Sequence, residues 1–145
     1  MQFDHLGVIV NSLQMGRSKF QRMLNIRYWT EEFTDPVNGV RCQFGRDGSG
    51  FCYELLEPFG PSSPVAAALS GRRSILNHVA YRIAELASAG GALRQQGCVP
   101  TAEPRPAVAY NGRLIQFFFT PANFIIELIE APDHEHRLVE WPLEP

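Results

Sequence analysis

The stretch Phe124-Ile125-Ile126-Glu127-Leu128-Ile129-Glu130 decides how this chain is read. It is a strongly apolar strand candidate with one carboxylate, Glu127, at its centre. A carboxylate is ordinarily charged and solvated, so burying it demands a partner, and a metal ion is one candidate. The same pattern stands earlier as Phe51-Cys52-Tyr53-Glu54-Leu55-Leu56-Glu57, placing Glu54 73 residues before Glu127. Upstream, Phe3-Asp4-His5-Leu6-Gly7-Val8-Ile9-Val10 is echoed by Leu76-Asn77-His78-Val79-Ala80-Tyr81-Arg82-Ile83, and His5 and His78 are again 73 residues apart. The step from His to Glu is therefore 49 residues in both halves. Alone, His5 would read as a sheet histidine with its hydrogen bonds satisfied. Two His and two Glu at matching places in a repeated unit point instead to one shared site.

Working outward, residues 3–10 alternate as a strand, with His5, Gly7 and Ile9 on one face. Asn11 or Ser12 can cap a helix in which Leu13, Phe20, Met23 and Leu24 recur at helical spacing. Residues 26–33 read as a second strand, Asp35-Pro36-Val37-Asn38-Gly39 as a turn, and 40–45 and 51–57 as two further strands. Residues 58–71 are rich in Pro, Gly and Ser, with a short apolar helix expected at 65–69; Arg72 and Arg73 follow, either a solvated pair or a greeting for a phosphate-bearing ligand. Strand 76–83, helix 85–97, an extended piece at 99–103 and strands 114–120 and 124–130 then repeat the order. The offset also pairs Leu13 with Leu86, Gln43 with Gln116 and Phe44 with Phe117. A duplication of a β-α-β-β-β unit accounts for this ordered set. We expect one domain over 1–145: a first module at about 2–58, a linker at 59–74, a second module at about 75–131 and a tail at 132–145.

Composition narrows the function. A length of 145 residues with 45% apolar and 19% charged side chains suits one domain with a real core. Thirteen basic against fifteen acidic residues leave a net charge of −2 without blocks of like charge, which argues against nucleic acid or an anionic membrane as partner. Cys42, Cys52 and Cys98 lack the spacing of a disulfide framework or zinc ribbon, so reduced thiols and a cytoplasmic location are expected. No signal peptide is read, because Asp4 and His5 interrupt the opening residues, and no apolar run approaches the ~18 residues of a membrane span.

Parity gives the site a shape. If the strands of each unit form one curved sheet, the His of its first strand and the Glu of its last face the same concavity, and two such sheets bring His5, Glu54, His78 and Glu127 around one point. Two imidazoles and two carboxylates suit a borderline divalent ion such as Zn, Co, Ni, Mn or Fe(II). Glu57 and Glu130, at odd offset from the ligands, are expected to face away, and His134 and His136 to lie in a solvated tail.

This pattern resembles the vicinal oxygen chelate superfamily, in which paired βαβββ units hold a metal through His, Glu or Gln, His and Glu. The resemblance covers residues 2 to about 131. Within it, Glu54-Leu55-Leu56-Glu57-Pro58-Phe59-Gly60, Ser62-Ser63-Pro64-Val65-Ala66, Asn77-His78-Val79-Ala80, Gly112-Arg113 and Ile126-Glu127-Leu128 look like the methylmalonyl-CoA epimerase branch. The ending Ile126-Glu127-Leu128-Ile129-Glu130 is equally similar to glyoxalase I. The resemblance implies an α+β fold of two tandem βαβββ modules, a curved, barrel-like mixed sheet with helices outside. It implies that His5, Glu54, His78 and Glu127 are ligands to one divalent metal ion and that Glu127 is the catalytic proton carrier. It also implies a small-molecule substrate, such as a CoA or glutathione thioester, and a homodimer whose sites lie within one chain or across the interface.

The expected reaction is a metal-dependent epimerisation or isomerisation through an enolate, with glyoxalase I-like lyase chemistry as the alternative. A ring-cleaving dioxygenase would need only His5, His78 and Glu127, and a metal-free antibiotic-binding protein would need none of the four. One departure matters. The epimerases carry a second acid/base Glu two residues before the Gly-Val that opens their third strand, where this chain has Val37 before Gly39-Val40. Glu31, Glu32, Asp35 and Glu103 are the candidates to replace it.

Overall fold

A computed structural model describes residues 1–70 and 76–145. The Arg72-Arg73 pair, with both of its readings, falls outside the described residues. In chain order the elements are β1 (Gln2–Ile9), α1 (Leu13–Leu24), β2 (Tyr28–Trp29), β3 (Phe33–Asp35), β4 (Val40–Arg46), β5 (Cys52–Pro58), α2 (Pro64–Ser70), β6 (Leu76–Arg82), α3 (Leu86–Gln95), β7 (Val99–Pro100), β8 (Arg105–Ala107), a 3-10 turn (Val108–Tyr110), β9 (Arg113–Phe119), β10 (Ile125–Ile129) and β11 (Val139–Glu140). They build one mixed sheet in the order β11-β2-β4-β5-β1-β6-β10-β9-β7, with β3 added on β4 and β8 on β9. The repeat is visible in the pairing. β1 runs parallel to β5 and β6 parallel to β10, and the modules meet where β1 and β6 pair antiparallel.

Strand alternation divides the apolar residues between two faces. On the outer face, Val8, Leu55 and Trp29 pack under Leu13 of α1, while Phe118 and Leu128 pack under Leu86 of α3. On the concave face, Ile9, Leu56, Phe44 and Ile129 surround the residues of the site. Glu57 and Glu130 do turn away from His5, Glu54, His78 and Glu127, and each holds the start of its module's helix. Leu13 N–H donates to Glu57 Oε2 at 2.8 Å and Leu86 N–H to Glu130 Oε2 at 2.7 Å. Helix α1 also has its own cap, since Ser12 Oγ accepts from Met15 N, whereas the residue before α3, Glu85, offers no side-chain cap. Glu130→Ala should therefore destabilise the fold by about 1 kcal/mol, more than Glu57→Ala, read as a shift in urea midpoint at constant slope.

Three expectations are corrected. The strand read at 26–33 is two short pieces, β2 and β3: Thr30 N–H still bonds Phe44 O at 2.9 Å, but its carbonyl is taken by the Gln43 side chain and its hydroxyl donates to Glu31 O. Met23 and Leu24 face solvent, and α1 instead buries Leu13, Arg17 and Gln21. The reason lies at the other end of the chain. Arg17 is held by Glu144 and Glu32, donates to Gln43 Oε1 at 2.6 Å and lies over the Trp141 ring, while Gln21 bonds Pro142 O. The tail is thus packed on the first module, with β11 paired to β2, rather than solvated. Among the described residues no helix is long and apolar enough to cross a membrane.

Candidate metal centre and cleft

His5 and His78 sit on the two strands that join the modules, Glu54 and Glu127 on the strands flanking them. Register sets a small residue beside each imidazole: Gly7 pairs with both His78 and Glu54, and Ala80 with both His5 and Glu127. The room at Gly7 is fully used, because a Cβ built there would stand 2.1 Å from His78 Cε1. The four expected residues are brought together within one chain, all buried, with one donor atom from each lying within 4.8 Å of the others. His5 Nε2 is 3.0 Å from Glu54 Oε2 and 3.2 Å from Glu127 Oε2; His78 Nε2 is 3.3 Å and 2.9 Å from the same two oxygens.

What aims the rings is a pair of β-bulges that strict alternation does not foresee. The register slips between Phe3 and His5 on β1, and between Gly7 and Val8 opposite β6, so Asp4 and Asn77 are each an extra residue. Each can then bond the ring of the histidine that follows it: His5 Nδ1 to Asp4 Oδ2 at 2.7 Å, His78 Nδ1 to Asn77 Oδ1 at 2.8 Å. Both acceptors are oxygens, so both Nδ1 atoms carry the proton and both Nε2 atoms present lone pairs, 3.0 Å from each other. With both imidazoles neutral, four acceptor atoms converge with no donor among them, and Glu127 Oε2 is then buried without a hydrogen bond. Such a set is stable only around positive charge. For metal–ligand bonds of ~2.1 Å, neighbouring donors on one ion stand about 3.0–3.4 Å apart; the His–Glu and His–His separations here, 2.9–3.3 Å, lie close to that, so the residues fit a divalent ion.

Protons are the competing occupant. Burial works against charge on His5, but Glu54, Asp4 and Glu127 outweigh it and hold its pKa well above the ordinary histidine value. His78 is raised in the same way by Glu127 and Glu54. Against its own burial, Glu54 is pulled far below the usual carboxylate range by His5 and His78, and Asp4 by His136 and His5.

Asp4 is the hub of the layer behind His5. Its Oδ2 accepts from His5, from Tyr110 OH at 2.6 Å and from His136 Nε2 at 2.9 Å, and Arg82 Nε stands 3.0 Å from its Oδ1. Burial and then the Asp4 carboxylate push the Tyr110 phenol well above its usual range, keeping it a donor. His134 and His136 are therefore not in a solvated segment. His136 stacks on Phe44 at 4.2 Å and His134 lies against Tyr110 at 4.6 Å. Asp4, His5 and His136 also gather metal-type donors, but Arg82 already supplies the cation that Asp4 needs. Sequence reasoning missed Asp4, Asn77 and Tyr110. The Asp-His and Asn-His pairs at the same 73-residue offset were the available signal for the first two.

A cleft of about 420 Å³ opens over Glu54, His78 and Glu127, within the ~300–1,000 Å³ usual for small-molecule sites. Val65 of α2, Ile115 and Phe117 form apolar walls, and Asp35, Glu103 and Arg105 stand among the polar ones. Val37 is half exposed in its turn and brings no carboxylate. Of the four candidates to replace one there, Glu32 pairs with Arg17 and Arg41, and neither it nor Glu31 lines the cleft. Asp35 lines it but is occupied by Asn38 N, Asn38 Nδ2 and Val108 N. Glu103, exposed on the loop between β7 and β8, is the one that reaches the cleft uncommitted to such a turn.

Comparison with known proteins places this geometry. The Glyoxalase/Bleomycin resistance protein/Dioxygenase superfamily model matches residues 4–119. The uncharacterized protein YqjC of Bacillus subtilis (strain 168) is 28% identical over 138 residues, covering 94% of this chain and 96% of that protein. Methylmalonyl-CoA epimerase from Mycobacterium tuberculosis superposes with a TM-score of 0.73 at 26% identity, over 88% of this chain and 86% of its own. A Streptomyces coelicolor methylmalonyl-CoA epimerase in complex with 2-nitronate-propionyl-CoA shares the fold, with a TM-score of 0.72 at 21% identity over 89% of this chain and 96% of its own.

Proposed function

This chain belongs to the Glyoxalase/Bleomycin resistance protein/Dioxygenase superfamily, and from that premise we propose that it is a divalent-metal-dependent epimerase or isomerase acting through an enolate on a small acyl thioester. The observation that carries the reading is the convergence of two imidazoles and two carboxylates, all buried, under a cleft that Glu54, His78 and Glu127 line. His5, Glu54, His78 and Glu127 are the proposed ligands. A divalent cation there would supply Lewis-acid stabilisation of negative charge building on a substrate carbonyl oxygen.

The chain's own residues do the rest. Asp4 and Asn77 hold the imidazoles in the tautomer that presents Nε2 to the site. The apolar walls exclude water from the carbon whose proton is to be moved, which keeps that carbon's charge dependent on fixed groups. Glu127 is the proposed general base and acid; it lines the cleft, and its Oε2 accepts no hydrogen bond from the described residues outside the two imidazoles. A proton leaving the α-carbon would rest on Glu127 and return from it to the same face, or to a neighbouring carbon.

Inverting a carbon needs a second group on the opposite face. With Val37 in its place and Asp35 bound up in its turn, Glu103 is the group we assign to that role. The same observation favours a second reading, a one-base isomerase of the glyoxalase type, in which Glu103 is dispensable. The homologue bound to 2-nitronate-propionyl-CoA supports a CoA thioester as substrate for the first reading; a glutathione hemithioacetal suits the second. We expect a homodimer with a complete site in each chain.

The test is metal analysis followed by solvent-deuterium exchange over a panel of acyl-CoA thioesters and glutathione hemithioacetals. Glu127→Gln should slow exchange by about 10²–10⁴-fold on the true substrate. Glu103→Gln should abolish inversion while leaving exchange on one face, if the chain is an epimerase; unaltered turnover would assign the one-base reading. A metal-loaded chain that exchanges no panel member, but takes up oxygen with a catechol, would overturn both.

A further inference from the structure

We propose that His136, in the segment following both modules, is a positioning residue for the metal centre. Its Nε2–H holds the Asp4 carboxylate, which in turn holds the His5 ring. The inference rests on the metal reading above but concerns a part of the chain that the duplication does not supply. Asp4 accepts hydrogen bonds only, so at 2.9 Å the His136 Nε2 must be the donor. That bond ends on Oδ2, the same oxygen that takes His5 Nδ1 at 2.7 Å. The two rings are therefore fixed by one atom.

His136 is in turn locked by its surroundings. Its side chain is 4% exposed and its ring lies flat on Phe44, which also meets the His5 ring edge-on at 5.1 Å. The segment carrying it is tied at both ends, by Arg82 donating to Pro132 O and His134 O and by Glu144 on Arg17. The two histidine ligands are thereby supported unequally. His78 relies on the neutral amide of Asn77, whereas His5 relies on a carboxylate whose second oxygen faces Arg82 and whose first is shared with Tyr110 and His136. Partners in this outer position orient a metal-binding imidazole and set its strength as a ligand, and losing one typically weakens affinity by 10–100-fold.

The experiment compares the full-length wild type with three variants, reading Co(II) and Zn(II) dissociation constants by competition titration and the visible spectrum of the Co(II) form. H136F keeps a flat ring on Phe44 but has no N–H; we expect affinity about 10-fold weaker and a changed Co(II) spectrum. H136Q keeps an N–H that can reach Asp4 and should restore both. H134L disturbs the same segment without touching Asp4 and should leave both unchanged. H136N, too short to reach Asp4, serves in place of H136F where the larger ring prevents folding. Wild-type affinity in H136F, equal loss in H136Q, or equal loss in H134L would each overturn the inference while leaving the metal reading intact. A wild-type chain that binds neither ion would overturn the metal reading, and this inference with it.

Discussion

Gly7→Ala should cost the protein its metal affinity as completely as His78→Ala, although Gly7 offers no ligand atom. The added Cβ would stand 2.1 Å from His78 Cε1 and 2.5 Å from both ring nitrogens, far inside van der Waals contact. The ring has no free direction in which to move. Its Nδ1 is bonded to Asn77, its Nε2 faces His5 and the two carboxylates, and Phe117 meets it edge-on at 5.2 Å. Gly7 itself is fixed by pairing to β5 on one side and β6 on the other, so the backbone cannot yield without opening the seam between the modules. Overpacking of this kind typically costs 1–3 kcal/mol. His78→Ala removes the proposed ligand but leaves the strand pairing, and should keep the fold. Both variants should bind Co(II) or Zn(II) at least about 100-fold more weakly than wild type, with only Gly7→Ala also losing thermal stability in the metal-free state. A Gly7→Ala protein that binds stoichiometric metal with wild-type affinity would show that the ring has room elsewhere, and the packing argument would fail.

The contrast between Gly7 and Asp4 shows what the sequence carries. The convergence of His5, Glu54, His78 and Glu127 was legible because a duplication writes each feature twice, and a 73-residue offset relating both pairs is hard to reach by chance. Alternation then put each Glu on the concave face, where Leu56 and Ile129 also lie. Asp4 was not legible, because a rule of period two assigns it to the face opposite His5 and only a bulge turns it round. Arg17, Gln21 and His136 escaped for another reason. Each owes its burial to the tail, which stands outside the repeat and has no counterpart from which its position could be inferred. A buried arginine in the middle of an amphipathic helix is recognised only once Glu32, Gln43 and Glu144 are seen around it. Tyr110 belongs with these, since it arrives from a short 3-10 turn that no periodicity announces.

On the proposed metal reading, removing the ion should reverse the protein's response to pH. In the metal-free chain the site's positive charge can come only from protons, and His5 and His78 are both raised above the usual histidine value by their carboxylate neighbours, against the opposing pull of burial. A group with a raised folded pKa contributes stability that is complete below its unfolded value, about 6.5, and is lost as pH climbs through the folded value. Glu54 and Asp4 are lowered, so their contribution is present above about 4 and lost only as pH falls toward their folded values. The metal-free protein should therefore be most stable between about pH 4.5 and 6.5, with its Tm falling as pH is raised toward 8.5. With Zn(II) or Co(II) in excess the imidazoles must be deprotonated to bind, so affinity grows with pH, and at 100 times Kd the ion adds about 2.7 kcal/mol. The Tm of the loaded protein should hold or rise over the interval in which that of the stripped protein declines. Thermal melts at pH 5.5, 7.0 and 8.5, with chelator and with metal, read the comparison directly. Parallel curves would mean that His5, His78 and the two glutamates do not exchange protons for a metal ion, and that the four acceptors at the floor of the cleft are balanced by some other charge.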